Sequence, residues 1–180
     1  MDRLVAGDRS GLSRNAIYGA IRGIGKGDLD VAMAYYEQLQ SEEEKQALAG
    51  SIVHTIASRD IDEALLWARS NDTGPNPKLE MQVLHFLAQR DLARAIQEAN
   101  SMADQGNRET ALAEVIQIAA QRNPVEAVAN MHLIENPNMR DDAAQTAIFS
   151  WMRRDSEAAV NWLLAQDADT VAEYLGSARM

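Results

Sequence analysis

Apolar residues along this chain recur at helical spacing, and the pattern restarts at a nearly constant interval. Five segments carry it: Gly27-Asp28-Leu29-Asp30-Val31-Ala32, Arg59-Asp60-Ile61-Asp62-Glu63-Ala64, Arg90-Asp91-Leu92-Ala93-Arg94-Ala95, Arg122-Asn123-Pro124-Val125-Glu126-Ala127 and Arg154-Asp155-Ser156-Glu157-Ala158-Ala159. Each reads (Arg or Gly)-(Asp or Asn)-x-x-x-Ala, with alanines at 32, 64, 95, 127 and 159, so the spacings are 32, 31, 32 and 32. Five occurrences in register define a repeat, which bounds the fold before any single residue does. With the Asp or Asn as position 1, apolar residues fall at positions 2, 5, 6 and 9: Leu29, Ala32, Met33 and Tyr36, then Ile61, Ala64, Leu65 and Ala68. That is one face of an amphipathic helix, here helix A. Counting back from the next position 1, apolar residues fill positions −8, −7, −4 and −3 of a helix B. They are Ile52, Val53, Ile56 and Ala57; Val83, Leu84, Leu87 and Ala88; Val115, Ile116, Ala119 and Ala120; Ala147, Ile148, Trp151 and Met152. No alternating β-branched run competes, so strand content should be close to nil.

The polar positions supply the starts. Each Asp or Asn at position 1 can accept from free backbone N–H groups two and three residues on. Asp60 with Glu63 and Asn123 with Glu126 have capping-box spacing, and Pro124 occupies the favoured first helical position. Helix B is signalled by Ser41 with Glu44, by Asn76 before Pro77, and by Asn136 before Pro137. The Asn71–Pro77 connection holds Gly74 and two prolines, yet the period there stays at 31, so helix A should end early. The alanine at position 5 has a packing reason: a small residue lets helix A approach its neighbour closely. One helix pair cannot bury both apolar faces alone, so pairs should stack on one another.

Composition narrows the classes. The chain has 180 residues, 46% apolar and 24% charged, which suits a folded helical protein. Its net charge of −10 disfavours a nucleic-acid backbone as partner. The absence of cysteine excludes disulfides and a thiol nucleophile. No apolar run reaches 18 residues, so no membrane insertion is expected. The sequence does not fix the compartment.

The repeat resembles the tetratricopeptide-like α-solenoid superfamily across residues 13–175. It also resembles bacterial arrays reading Asp-Pro-x-x-Ala-x-x-Trp, with Asn123-Pro124-Val125-Glu126-Ala127 the nearest local match. The unit is shorter than the tetratricopeptide one and lacks its Leu-Gly pair. The resemblance implies an all-α, right-handed α-solenoid of about five stacked antiparallel helix pairs, without β-sheet, binding other proteins along a curved face. The organisation expected is a single helical-repeat domain, 1–180, with a partial unit 1–27, repeats 28–59, 60–90, 91–122 and 123–154, and a partial unit 155–180. Ala16, Ala20, Ile21 and Ile24 have the phase of a helix B, and Leu175 falls where Leu48 and Leu79 do. The array thus starts and stops mid-unit, so a fragment of a longer array is expected, with unusual end caps the alternative.

Position 8 of helix A carries Tyr35, Trp67, Glu98, Asn130 and Trp162, at the edge of the apolar stripe. Two readings compete there: aromatic anchors for a partner segment, or rings packed between units. Tyr36, one position on, belongs to the core. Position −6 of helix B carries Arg22, His54, His85 and Gln117 on the face away from the stripe, an exposed ladder without the third ligand a metal needs. Glu42-Glu43-Glu44 suits the positive end of a helix dipole. Asp104-Gln105-Gly106-Asn107 is too short for a calcium loop. Gly23-Ile24-Gly25-Lys26-Gly27 lacks the ending of a phosphate loop. Arg153, Arg154 and Arg140 read as complements to helix C-terminal dipoles. The expected function is a non-catalytic scaffold for a protein or peptide partner, with no cofactor. The alternatives are an accessory segment of a larger enzyme or envelope assembly, and a homo-oligomer pairing through open array ends.

Overall fold

A computed structural model describes residues 27–72, 77–168, 170 and 171, together with Gly19 and Gly23. Arg22, Asn76, Leu175 and the glycine run 23–26 apart from Gly23 lie outside the described residues. Among those described, nine α-helices and one 3-10 turn account for the regular structure, and no strand occurs. The helices are α1 (Leu29–Gln38), α2 (Glu42–Ala57), α3 (Ile61–Asn71), α4 (Lys78–Ala88), α5 (Leu92–Asn100), α6 (Gln105–Ala120), α7 (Pro124–Asn130), α8 (Pro137–Arg154) and α9 (Ser156–Leu164). The 3-10 turn, Met131–Leu133, follows α7.

All five position-1 residues start a helix. Asp28 accepts from Asp30 N at 2.9 Å, Asp60 from Asp62 N at 2.8 Å, Asp91 from Arg94 N at 3.0 Å, Asn123 from Glu126 N at 3.3 Å and Asp155 from Ala158 N at 2.9 Å. These bonds satisfy N–H groups that have no partner inside the helix. At Asn123 the reciprocal bond runs from the side-chain Nδ2 to Glu126 Oε2, 2.8 Å. Ser41 and Asn136 cap α2 and α8, and Asp104 caps α6. Asp104 is therefore a helix cap, and Gln105, Gly106 and Asn107 open the first turn of α6.

The chain divides into two compact units between Val83 and Leu84, inside α4. In the first, α2 packs against both α1 and α3. In the second, α6 packs against α5, α7 and α8, while α8 also meets α7, the 3-10 turn and α9. Each core is built from the predicted stripes. The alanines at 32, 64, 95, 127 and 159 are all fully buried. Among the helix-B positions, Ile52, Val53, Val83, Leu84, Ile116, Ala147 and Ile148 are sealed from solvent, and only Met152 of the predicted set is half-exposed. Close approach has a second cause in α2: a Cβ at Gly50 would stand 3.3 Å from the Gln82 amide.

The connection after α3 differs from expectation. α3 runs to Asn71 and does not end early; at 11 residues it is no shorter than α1 or α5. The period is held at 31 by α4, which has 11 residues where α2 and α6 have 16. α4 begins at Lys78, and Pro77 just ahead of it accepts from Met81 N through its carbonyl at 2.9 Å but has no side-chain acceptor to cap the helix. Its N–H groups are then capped from a distance. The Asp72 carboxylate accepts from Leu79 N at 3.0 Å and from Glu80 N at 3.0 Å. Arg69, one helical turn earlier, donates to the buried Glu80 carboxylate at 2.7 Å.

Candidate functional site

Two aromatic contacts place the position-8 tryptophans. In the first unit Trp67 of α3 lies edge-on to Tyr36 of α1, with ring centroids 5.5 Å apart at 62°. Lys45 of α2 lies 5.9 Å above the same Tyr36 ring. Burial raises the Tyr36 pKa above its ordinary value, and the carboxylates of Glu37, Glu42 and Asp72 push it the same way. In the second unit Trp162 of α9 meets Trp151 of α8 at 5.9 Å. Each position-8 indole is thus fixed on one side by a buried ring while remaining partly open to solvent on the other.

The rest of the row is mixed. Tyr35 is buried and belongs to the core of the first unit. Glu98 and Asn130 are half-buried, and Asn130 donates its amide to Glu126 O within α7. Tyr35 packs inside, whereas Trp67 and Trp162 combine packing with exposure. On the helix-B row His54 and His85 are exposed and Gln117 is half-buried. His132 Nδ1 lies 2.9 Å from Ala129 O. Among the described residues no three His, Asp or Glu side chains cluster as metal ligands. No helix of the described residues is long and apolar enough to cross a membrane.

The arginines do more than their sequence positions suggested. Arg153 and Arg154 do sit in the last turn of α8, but Arg154 reaches the carbonyl of Gln121, the C-cap of α6. Arg122 makes the equivalent bond to Gln89 O at 2.9 Å. Arg140 is not at a helix C-terminus of its own: it stands in the first turns of α8 and donates to Ile134 O at 3.1 Å, closing the end of the 3-10 turn. Arg108 of α6 does the same to Met102 O at 2.9 Å. The 32-residue spacing of Arg108-Glu109 and Arg140-Asp141 was the signal for this second pair.

Sequence reading missed one feature of the second unit. An open cleft of about 620 Å³ lies where the first turns of α6 and α8 come together, lined by Gln105, Gly106, Glu109, Thr110, Glu135, Asn136 and Met139. Glu109, only 6% exposed, spans it and accepts the backbone N–H of Asn136 through Oε2 at 3.0 Å. Gln105 closes one wall by donating to Glu135 Oε2 at 3.4 Å. No family model, curated protein or solved structure matches this chain.

Proposed function

We propose that the chain is a non-catalytic scaffold that binds a protein or peptide partner along an edge of its A helices, and that its helix pairs stack as a right-handed α-solenoid. The observation that carries this reading is the state of Trp67 and Trp162. Both occupy the same register position, both are partly exposed, and both are held by a second aromatic ring. An indole fixed before binding loses little side-chain freedom when a partner covers it, which is what a strong interface anchor requires. The order of packing supports stacked pairs, since α6 meets its chain neighbours α5 and α7 and also α8, the next helix B. Affinity capture with the purified chain as bait tests the binding claim. The expected result is a partner retained by the wild type, lost with Trp67→Ala plus Trp162→Ala, and kept with Phe149→Ala, an exposed aromatic of α8 outside the row. Retention by the double variant would refute the anchor role.

One observation favours self-association as a second reading. At position 6, Leu65 and Val128 are buried, whereas Val160 of α9 is 40% exposed and Leu164 beside it is 78% exposed. A second copy covering that face would make the mass in solution rise with concentration, which light scattering reads directly. A constant monomer mass would dismiss it.

A further inference from the structure

Opposite its core residues Ala64, Leu65 and Ala68, helix α3 carries a second stripe that nothing covers. Glu63, Leu66, Trp67 and Ser70 follow the i, i+3, i+4, i+7 spacing that places side chains on one helix face. None of the four is buried, and Leu66 is 69% exposed. In α1 the equivalent stripe holds Val31, itself 55% exposed. The second unit does not repeat the arrangement: α5 has Arg94, Gln97 and Glu98 there, and Arg94 pairs with Glu98 at 3.9 Å. The charge around the α3 stripe is one-sided. Residues 27–72 hold ten Asp and Glu against three Lys and Arg. Of those cations, Arg69 is bonded to Glu80, Lys45 lies over the Tyr36 ring, and Arg59 stands about two helical turns before Trp67. Glu37 and Glu42 are exposed, make no ion pair among the described residues, and stand near enough to Tyr36 to raise its pKa. Tyr36 is the ring that Trp67 meets edge-on. Glu63, one turn before Trp67, is exposed and equally unpaired.

We infer that this face of α3 receives a basic segment of the protein partner, with an arginine guanidinium over the open side of the Trp67 indole and an apolar side chain on Leu66. The inference rests on the scaffold reading above and adds the chemistry of the partner. A planar guanidinium stacks on an indole and is attracted by its π-face. Lys45 already seats a cation on the neighbouring Tyr36 ring, whereas no cation covers Trp67 among the described residues. Glu37, Glu42 and Glu63 supply the complementary charge, which steers a basic segment to this face and turns away an anionic one. A second copy is a poor occupant, because it brings the same net charge of −10.

The test uses the full chain and a short amphipathic peptide of leucine and arginine, with the Leu66 methyls and the Trp67 indole N–H followed by NMR. Saturable shifts at both are expected, and none with the glutamate analogue of the peptide. The lysine analogue should bind about threefold more weakly, since an ammonium group does not stack as a guanidinium does. Glu37→Gln, Glu42→Gln and Glu63→Gln together should weaken the arginine peptide about tenfold. Glu114→Gln, Asp142→Asn and Glu157→Gln remove three exposed acids of the second unit, an equal change of net charge, and should alter the affinity by less than about twofold. Equal loss in the two variants would overturn the inference, as would shifts mapping elsewhere, binding of the glutamate analogue, or equal affinity for the lysine one. Shifts that appear on concentrating the protein alone would give the face to a second copy and overturn it too. The two readings fail separately. Partner capture that depends on the tryptophans but survives the first three glutamine substitutions removes only the basic segment. If the wild type captures no partner, the scaffold reading is lost, and the basic segment with it.

Discussion

The turn from a helix A into a helix B is made with different chemistry at α3–α4 than at the other turns, where Ser41 caps α2 in the first unit and Asp104 and Asn136 cap α6 and α8 in the second. In the first unit α3 leads into α4 through long-range side-chain contacts: Asp72 caps Leu79 and Glu80, and Arg69 pairs with Glu80. In the second unit the caps are local, Asp104 for α6 and Asn136 for α8, and an arginine ties each turn to a backbone carbonyl. The difference traces to Pro77. Pro77 stands just before α4 and carries no side-chain acceptor, so the cap reaches in from Asp72; before α6 Asp104 serves directly. At Pro137 the local cap survives because proline sits at the first helical position, where its missing N–H costs nothing. One repeat pattern therefore tolerates two turn designs, provided that the orphan N–H groups find acceptors.

The largest expected effects should not distinguish the units. Ala64→Trp and Ala127→Trp both place a large ring at a fully buried alanine, and each should cost about 3 kcal/mol by overpacking. Urea unfolding followed by helical circular dichroism measures both; a loss confined to one unit would show that the position-5 alanines are not equivalent. Next come the caps. Asp72→Ala removes the acceptor of two N–H groups and should cost about 2 kcal/mol, against about 1 kcal/mol for Asp104→Ala, which caps one. The same unfolding curves would read the ranking, and the reverse order would contradict the distal-cap account of α4.

Smaller effects sharpen the contrast through salt. Arg69→Met and Arg108→Met should each cost about 1 kcal/mol, because Arg69 is 41% exposed and Arg108 bonds a neutral carbonyl. Raising the salt to about 1 M should shrink the Arg69 effect and leave the Arg108 effect nearly unchanged, since screening acts on ion pairs. Identical salt responses would refute the assignment of two mechanisms. The smallest effect is alkaline. The folded-state pKa of Tyr36 lies above the ordinary 10.0, so its contribution is complete below that pH and is lost as pH rises through the folded value. Tyr36→Phe should flatten the fall of stability above pH 10, and an unaltered slope would assign that fall to other groups.

The starts of the A helices and both core stripes were legible from sequence because they depend on local chemistry. A capping Asp or Asn followed by i, i+3, i+4 apolar spacing needs no tertiary information, and Ala32, Ala95 and Ala159 are buried where the repeat put them. The distal cap was not legible. Asp72 and Leu79 are seven residues apart, and no local rule pairs them. The lengths of α3 and α4 were exchanged for that reason, with the shortening assigned to the wrong helix. Position 8 was legible as a boundary, but not the burial of Tyr35 beside the exposure of Trp67, which depends on how neighbouring helices cover each ring. The Arg108 and Arg140 bonds and the Glu109 cleft need two helix starts brought together in space. Their only trace in sequence was a 32-residue recurrence of Arg followed by an acid.

The scaffold claim meets its most direct test in site-specific photo-crosslinking, with benzoylphenylalanine introduced in turn at Trp67, Trp162 and the exposed Glu114 of α6 in cells that make the protein. One discrete adduct of the same mass from positions 67 and 162, and none from 114, is the predicted result. No adduct from either tryptophan position, or the same adduct from all three, would contradict it.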